Sequence, residues 1–185
     1  MMRIIGGIYR GRQLERVGKE TTRETADMVR QAVFNMIFIN PQTVVLDLFT
    51  GSGAYALEAI SRGAKHAIVV DHDIDAVKTV RKNANAFGEP EKVVVIKSDY
   101  RAFLADLVGD PYDVIFLDPP YDLPCYVAVM EALDHVVNLG GFVVCESAKK
   151  EVLPEIVKSF EKTKEKTYGI KKITIYRKIR GPVKK

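Results

Sequence analysis

The chain has 185 residues, 47% of them hydrophobic, and a formal net charge of +4, which predicts one main domain around one substantial core. No stretch approaches the roughly 20 apolar residues of a membrane-spanning helix, and no apolar leader run follows the N-terminus, so a cytoplasmic protein with no membrane partner is expected. Two cysteines and three scattered histidines (His66, His72, His135) exclude a disulfide framework and offer no metal-ligand spacing.

In chain order, RIIGGIYRGRQLE (3–15) carries paired glycines and alternating apolar and basic residues, which reads as a short hairpin or an extended arm. TADMVRQAVFNMIFI (25–39) places Val29, Ala32, Val33, Met36 and Ile37 on one helical face, with Thr25 as its N-cap. From residue 44 short β-branched runs alternate with amphipathic stretches. Strands are predicted at 44–48, 66–70, 92–97, 113–118 and 142–146, and helices at 53–62, 73–87, 100–108 and 124–137. Continuous apolar strands separated by helices mean a parallel sheet covered on both faces. KTYGIKKITIYRK (166–178) instead shows two alternating runs around Gly169, as a terminal antiparallel hairpin would. The expectation is a doubly wound α/β domain: a mostly parallel seven-stranded sheet over 23–185 with a C-terminal hairpin. An arm over 1–22, formed by a small N-terminal hairpin, precedes it.

Charge is unevenly spread along this plan. Residues 1–30 carry a balance of +3, residues 31–148 of −8 and residues 149–185 of +9. Basic ends around an acidic middle suit a polyanionic partner that touches the ends while the middle does something else. Lysines near a C-terminus also serve solubility alone, which is the simpler account of 149–172.

LDLFTGSGAYALEA places Gly51 and Gly53 between the first strand and its helix, and Asp71 ends the second strand twenty residues after Gly51. Glycines let the backbone approach a ligand, and a strand-end carboxylate accepts from both hydroxyls of a ribose. By that test NAD and S-adenosylmethionine fit equally. Asp47 favours the second: a carboxylate four residues before the first glycine can meet the ammonium of an amino-acid moiety but would repel a pyrophosphate. Asp99, ending the third strand in KSDY, could pair with an adenine amine, or simply cap the next helix.

The fourth strand ends in Asp118-Pro119-Pro120-Tyr121 on the same sheet edge. Prolines lack a backbone donor and stiffen the loop. Asp118 and the Pro119 carbonyl then offer two acceptors to an exocyclic amine, and Tyr121 a ring for the heterocycle that bears it.

LDLFTGSG followed by FLDPPY resembles the class I S-adenosylmethionine-dependent amino methyltransferases. With MRIIGGIYRGRQL, TRETADMVRQAVFN, LDLFTGSGAYALEAISRGA and VVDHD, almost the whole chain is similar to the RsmD family of bacterial 16S rRNA guanine-N2 methyltransferases. The resemblance implies that Asp47, Gly51 and Gly53 hold the methionine end of the cofactor, Asp71 its ribose and Asp99 its adenine, with Phe49 and Tyr100 completing that site. It implies that Asp118, Pro119, Pro120 and Tyr121 present the guanine amine. Arg23, Thr25, Asp27 and Arg30 match the family's helix start beside the site, where Glu24 and Met28 replace a usual proline and arginine. Asp71 stands for a common glutamate and Ala56 for a glycine. Arg3, Arg10 and Arg12, joined by Arg23 and Arg30, are the candidate RNA contacts. The expected partner is ribosomal RNA or a small-subunit assembly intermediate, met by a monomer.

Other readings stay open on the residues. The D-P-P-Y loop also suits adenine N6 and cytosine N4. Pro124-Cys125 could house a thiolate for pyrimidine C5 methylation. A nicotinamide dehydrogenase would leave the amine-binding loop without purpose. A non-enzymatic RNA-binding assembly factor would not need Asp47, Asp71 and Asp118 intact.

Overall fold

A computed structural model describes residues 2–18, 23–109 and 111–181; the side chains of residues 23–25 lie outside that description. Two short strands, β1 (Met2–Arg3) and β2 (Gln13–Leu14), pair antiparallel with Met2 opposite Leu14. Helix α1 spans Arg23–Phe34 and buries Val29 and Val33. It begins before Thr25, which therefore lies inside the helix and not at its cap.

The domain then alternates β3 (Val44–Asp47), α2 (Ala54–Ser61), β4 (His66–Asp71), α3 (Ile74–Phe87), β5 (Val93–Lys97), α4 (Tyr100–Ala105), β6 (Tyr112–Leu117) and α5 (Tyr126–Leu133). It closes with β7 (Val137–Ala148), β8 (Ile156–Val157), β9 (Phe160–Tyr168) and β10 (Lys171–Lys178). The sheet has eight strands in the order β5-β4-β3-β6-β7-β10-β9-β8. Strands β3 to β7 are mutually parallel, and β7, β10, β9 and β8 pair antiparallel. The eighth strand beyond the seven expected is the two-residue β8 at the edge. The order reverses between β3 and β6, which opens the crevice where ligands of such sheets bind.

Strand periodicity of two sorts the core into two layers. Val45, Val69, Val114, Phe116 and Val144 face α1, α2, α3 and the N-terminal hairpin. Leu46, Val70, Ile115, Leu117, Val143 and Cys145 face α5, with α4 packed against the same layer.

The N-terminal hairpin is latched onto α2. Ile5 N and Gly6 N each donate to the Glu58 carboxylate at 2.8 Å, Ile8 N donates to the Ser61 carbonyl at 2.8 Å, and Ser61 Oγ donates to the Gly6 carbonyl at 2.6 Å. Gly7 has φ 77°, and a Cβ there would fall 1.9 Å from the Ser61 carbonyl oxygen; only glycine permits this approach. Glu58 is fully buried, and Arg62 at 2.8 Å and Arg30 at 3.6 Å offset its charge.

Candidate active site at the carboxyl edge of the sheet

The sheet's carboxyl edge presents a crevice of about 420 Å³ lined from two sides. Its first half is built by the glycine loop. Asp47 is 2% exposed and accepts from Thr50 Oγ1 at 3.0 Å. Burial pushes its carboxyl up to about 7, only partly opposed by the hydrogen bonds from Thr50 and the Ala56 backbone. A carboxylate desolvated this far suits a cationic ligand group, whose charge would restore its ionisation.

Asp71 binds the loop to the next helix: Gly51 N donates to its Oδ2 and Asp73 N to its Oδ1, each at 2.9 Å. Each carboxylate oxygen keeps acceptor capacity for a hydroxyl. The glycines differ in purpose. A Cβ on Gly51 would meet nothing within 4 Å, so its bare backbone borders open space, whereas one on Gly53 would stand 3.1 Å from the Val80 methyls. Gly53 thus lets α2 settle against α3 and does not line the crevice.

Asp99 and Tyr100 also lie outside the lining. Asp99 Oδ1 accepts from Arg101 N at 2.8 Å, the capping role weighed above. Tyr100 packs on Phe49 with ring centroids 5.2 Å apart, and Phe49 is the one that reaches the crevice. Glycine-loop residues, a desolvated acid and a ribose-type acceptor together fit an adenosine cofactor with an amino-acid end.

The second half is built by the loop after β6. Asp118, Pro119, Pro120 and Tyr121 all line the crevice, with Pro119 buried and Tyr121 55% exposed. Leu123 N donates to the Pro120 carbonyl at 2.9 Å, closing the turn. Behind the loop lie three residues that the sequence reading left without roles. Tyr55 OH donates to Glu146 Oε2 at 2.7 Å, and the ring stacks on Phe116 at 4.7 Å. Lys171 Nζ is paired with Glu146 Oε1. Burial disfavours the Lys171 ammonium, yet Glu146 and Asp118 more than offset this and hold its pKa above the ordinary lysine value. Glu146 ends a predicted strand as Asp71 and Asp118 do, which was the available signal; Lys171 sat in a lysine-rich run and carried none.

The basic candidates scatter. Arg3 and Arg10 are exposed on the hairpin. Arg12 is exposed too, its guanidinium 4.8 Å from the Tyr9 ring centroid. Arg30 is 3% exposed and bound to Asp27 at 2.9 Å and to the Arg3 carbonyl at 2.5 Å. That burial corrects its place among surface phosphate contacts: it ties α1 to the hairpin and to Glu58 while touching the crevice wall. The Arg23 side chain lies outside the described residues. Cys125 is buried, and burial pushes its thiol up to about 11, the opposite of what a thiolate nucleophile requires. No helix among the described residues is long and apolar enough to cross a membrane.

A family model described as Conserved hypothetical protein 95 matches residues 2–177. The chain is 38% identical to YlbH of Bacillus subtilis over 184 residues, covering 96% of this chain and 99% of that one. It is 33% identical over 183 residues to the Haemophilus influenzae protein named Ribosomal RNA small subunit methyltransferase D, covering 95% and 93%. Among solved structures, YhhF of Escherichia coli superposes with a TM-score of 0.81 at 28% identity, covering 96% of this chain and 97% of that one. Matched from the N-terminal hairpin to the last strand, the chain belongs to the Conserved hypothetical protein 95 family, that of the RsmD rRNA methyltransferases.

Proposed function

We propose that this protein transfers a methyl group from S-adenosylmethionine to the exocyclic N2 amine of a guanine in small-subunit ribosomal RNA. The observation that carries the reading is the shared crevice: Asp47, Gly51 and Asp71 border one half, and Asp118 to Tyr121 border the other. The ribosomal RNA methyltransferase name of the Haemophilus influenzae relative supports the substrate class.

When bound, S-adenosylmethionine supplies a methyl on a positively charged sulfur, electrophilic enough to need no covalent enzyme intermediate. Asp47 would accept from the ammonium of the amino-acid end, and Asp71 from the ribose hydroxyls. The nucleophile is the harder problem, because a guanine amine is conjugated with its ring. Asp118 and the Pro119 carbonyl would each accept one amine hydrogen, turning the nitrogen lone pair out of conjugation and favouring positive charge on it. Tyr121 would fix the ring plane by stacking. Oriented placement supplies several kcal/mol of barrier reduction, and a matched acceptor about 3 more. The amine sheds its proton after substitution, and Asp118 is placed to receive it or pass it to water.

Around this site, the hairpin of β1 and β2 would contribute Arg3, Arg10 and Arg12 to the RNA backbone, as part of an RNA-contacting arm assigned to positions 1–22. The protein would work as a cytoplasmic monomer on ribosomal RNA or an assembling small subunit. The test is to incubate the protein and S-adenosylmethionine with small subunits from a strain lacking it, then to analyse nucleosides by mass spectrometry. N2-methylguanosine is expected. N6-methyladenosine or N4-methylcytidine would transfer the reading to another base, and no methylated nucleoside would refute it.

A further inference from the structure

Lys171 opens β10 at the crevice end of the sheet. Ile173 pairs opposite Glu146 across β10 and β7, so Lys171, two residues earlier on the same strand face, reaches Glu146 along the diagonal. The other Glu146 oxygen accepts from Tyr55 OH at 2.7 Å. Glu146 is thereby held from both sides, with 5% of its side chain exposed, while Lys171 keeps 25% exposed. Register brings this pair to the methyl-acceptor loop: Leu117 pairs with Cys145, so the next residues on the two strands, Asp118 and Glu146, stand level at the edge. Lys171, Glu146, Asp118 and Tyr121 all line the one crevice. An ammonium has three donors, of which one is committed to Glu146.

We propose that Lys171 is a base-discriminating residue that donates a hydrogen bond to O6 of the target guanine, with Glu146 as the positioning residue that aims it. The inference rests on the guanine-N2 reading above. Along its Watson–Crick edge guanine offers donor, donor, acceptor: the N2 amine, N1–H and O6. Asp118 can take N1–H and one amine hydrogen together, the Pro119 carbonyl takes the other, and the Lys171 ammonium answers O6. Adenine or cytosine, with its amine in the same place, would turn an unprotonated ring nitrogen toward Asp118, setting lone pair against carboxylate. Adenine would in addition offer Lys171 no carbonyl. Acceptor, acceptor, donor is thus a pattern that only guanine among the four bases completes from an amine-bearing end.

The experiment uses small subunits from a strain lacking the protein, with N2-methylguanosine formation and S-adenosylmethionine affinity measured for three variants. Lys171→Met should lower kcat/KM for subunits about tenfold to a hundredfold, the range of one base-reading contact, and leave cofactor affinity within twofold. Glu146→Gln, which keeps an acceptor for Tyr55 but weakens the grip on Lys171, should fall between that variant and wild type. The double variant Lys171→Met/Glu146→Gln has no uncompensated buried charge and separates the two roles of the lysine. If Lys171 reads O6, the double variant stays as slow as Lys171→Met. Recovery to wild-type turnover would mean that Lys171 only neutralises Glu146, and unchanged turnover in Lys171→Met would equally overturn the proposal. Wild type forming N6-methyladenosine, N4-methylcytidine or nothing would remove the functional reading itself, a result distinct from wild-type N2-methylguanosine formation that is insensitive to Lys171.

Discussion

Replacing Asp47 by Asn should make the free protein more stable and the cofactor complex weaker. The Asp47 carboxyl is raised by burial from 3.8 to about 7, so between those values the folded state binds more protons than the unfolded chain. Stability from this group is therefore present below about pH 4 and lost as pH rises through 7. At about 1.4 kcal/mol per pH unit the loss at pH 8 is about 4 kcal/mol. Asn removes that penalty but weakens the hydrogen bonds with Thr50 and the Ala56 backbone, about 1 kcal/mol each. The net gain is about 2 kcal/mol at pH 8, which for a domain of this size is a rise of about 4–8 °C in Tm, shrinking to nothing near pH 4. Thermal denaturation at pH 5 and pH 8 reads the difference. In parallel, calorimetric titration with S-adenosylmethionine should show affinity reduced about tenfold to a hundredfold in the variant, the cost of a charge-assisted hydrogen bond. For the wild type, affinity should decline as pH drops below about 7, approaching tenfold per unit. A variant less stable than wild type at pH 8, or one that binds the cofactor equally well, would refute the reasoning.

Three further outcomes are expected. Asp118→Ala should abolish methyl transfer while cofactor affinity stays within twofold; turnover equal to wild type would remove Asp118 from the mechanism. Replacing Arg3, Arg10 and Arg12 by Ala should flatten the salt dependence of RNA binding by about 0.7 to 0.9 in log–log slope per lost phosphate contact, and an unaltered slope would make the hairpin purely structural. Glu58→Ala should destabilise by about 3–5 kcal/mol, because it leaves buried Arg30 with Asp27 alone, removes the partner of Arg62 and strips the acceptor from the Ile5 and Gly6 amides. Amide exchange at Ile5 and Gly6 should accelerate with it; protection retained there would show that the latch does not depend on Glu58.

The parallel half of the fold was legible because each strand is a continuous apolar run and each crossover a periodic helix. The antiparallel half was less so. The terminal hairpin around Gly169 was legible, but of its first arm only the last residues were: β9 is exposed along most of FEKTKEKTY, so no apolar alternation marks its start, which reads as a solvated charge run. Strand β7 begins five residues before its predicted start, because Asn138, Gly140 and Gly141 look like a turn. They form instead an irregularity between Val137 and Phe142, whose partners on β6 are Tyr112 and Val114; Asn138 Nδ2 donates to Asp113 Oδ1 there at 2.8 Å. The site divided in the same way. Strand-end acids announced themselves by position, whereas Glu58 and Lys171 are ordinary residues in sequence and acquire meaning only from what faces them. Arg30 misled for the converse reason: a basic residue on an amphipathic helix looks like a surface contact until its carboxylates are known.

The reversal of direction at β7 has an evolutionary corollary. A parallel strand delivers its tail to the ligand edge, but β10 runs the other way and delivers its first residue and the turn at Gly169. The crevice is consequently lined from both topologies. On the proposed reading, crossover loops would hold the cofactor and, after β6, the target amine, and changing them disturbs the fold. If Lys171 reads the acceptor base as proposed, the strand that follows the exposed Gly169 turn would add to that side a contact that no helix cap constrains, so substitution there could retune base choice while the sulfonium-binding loops stay intact.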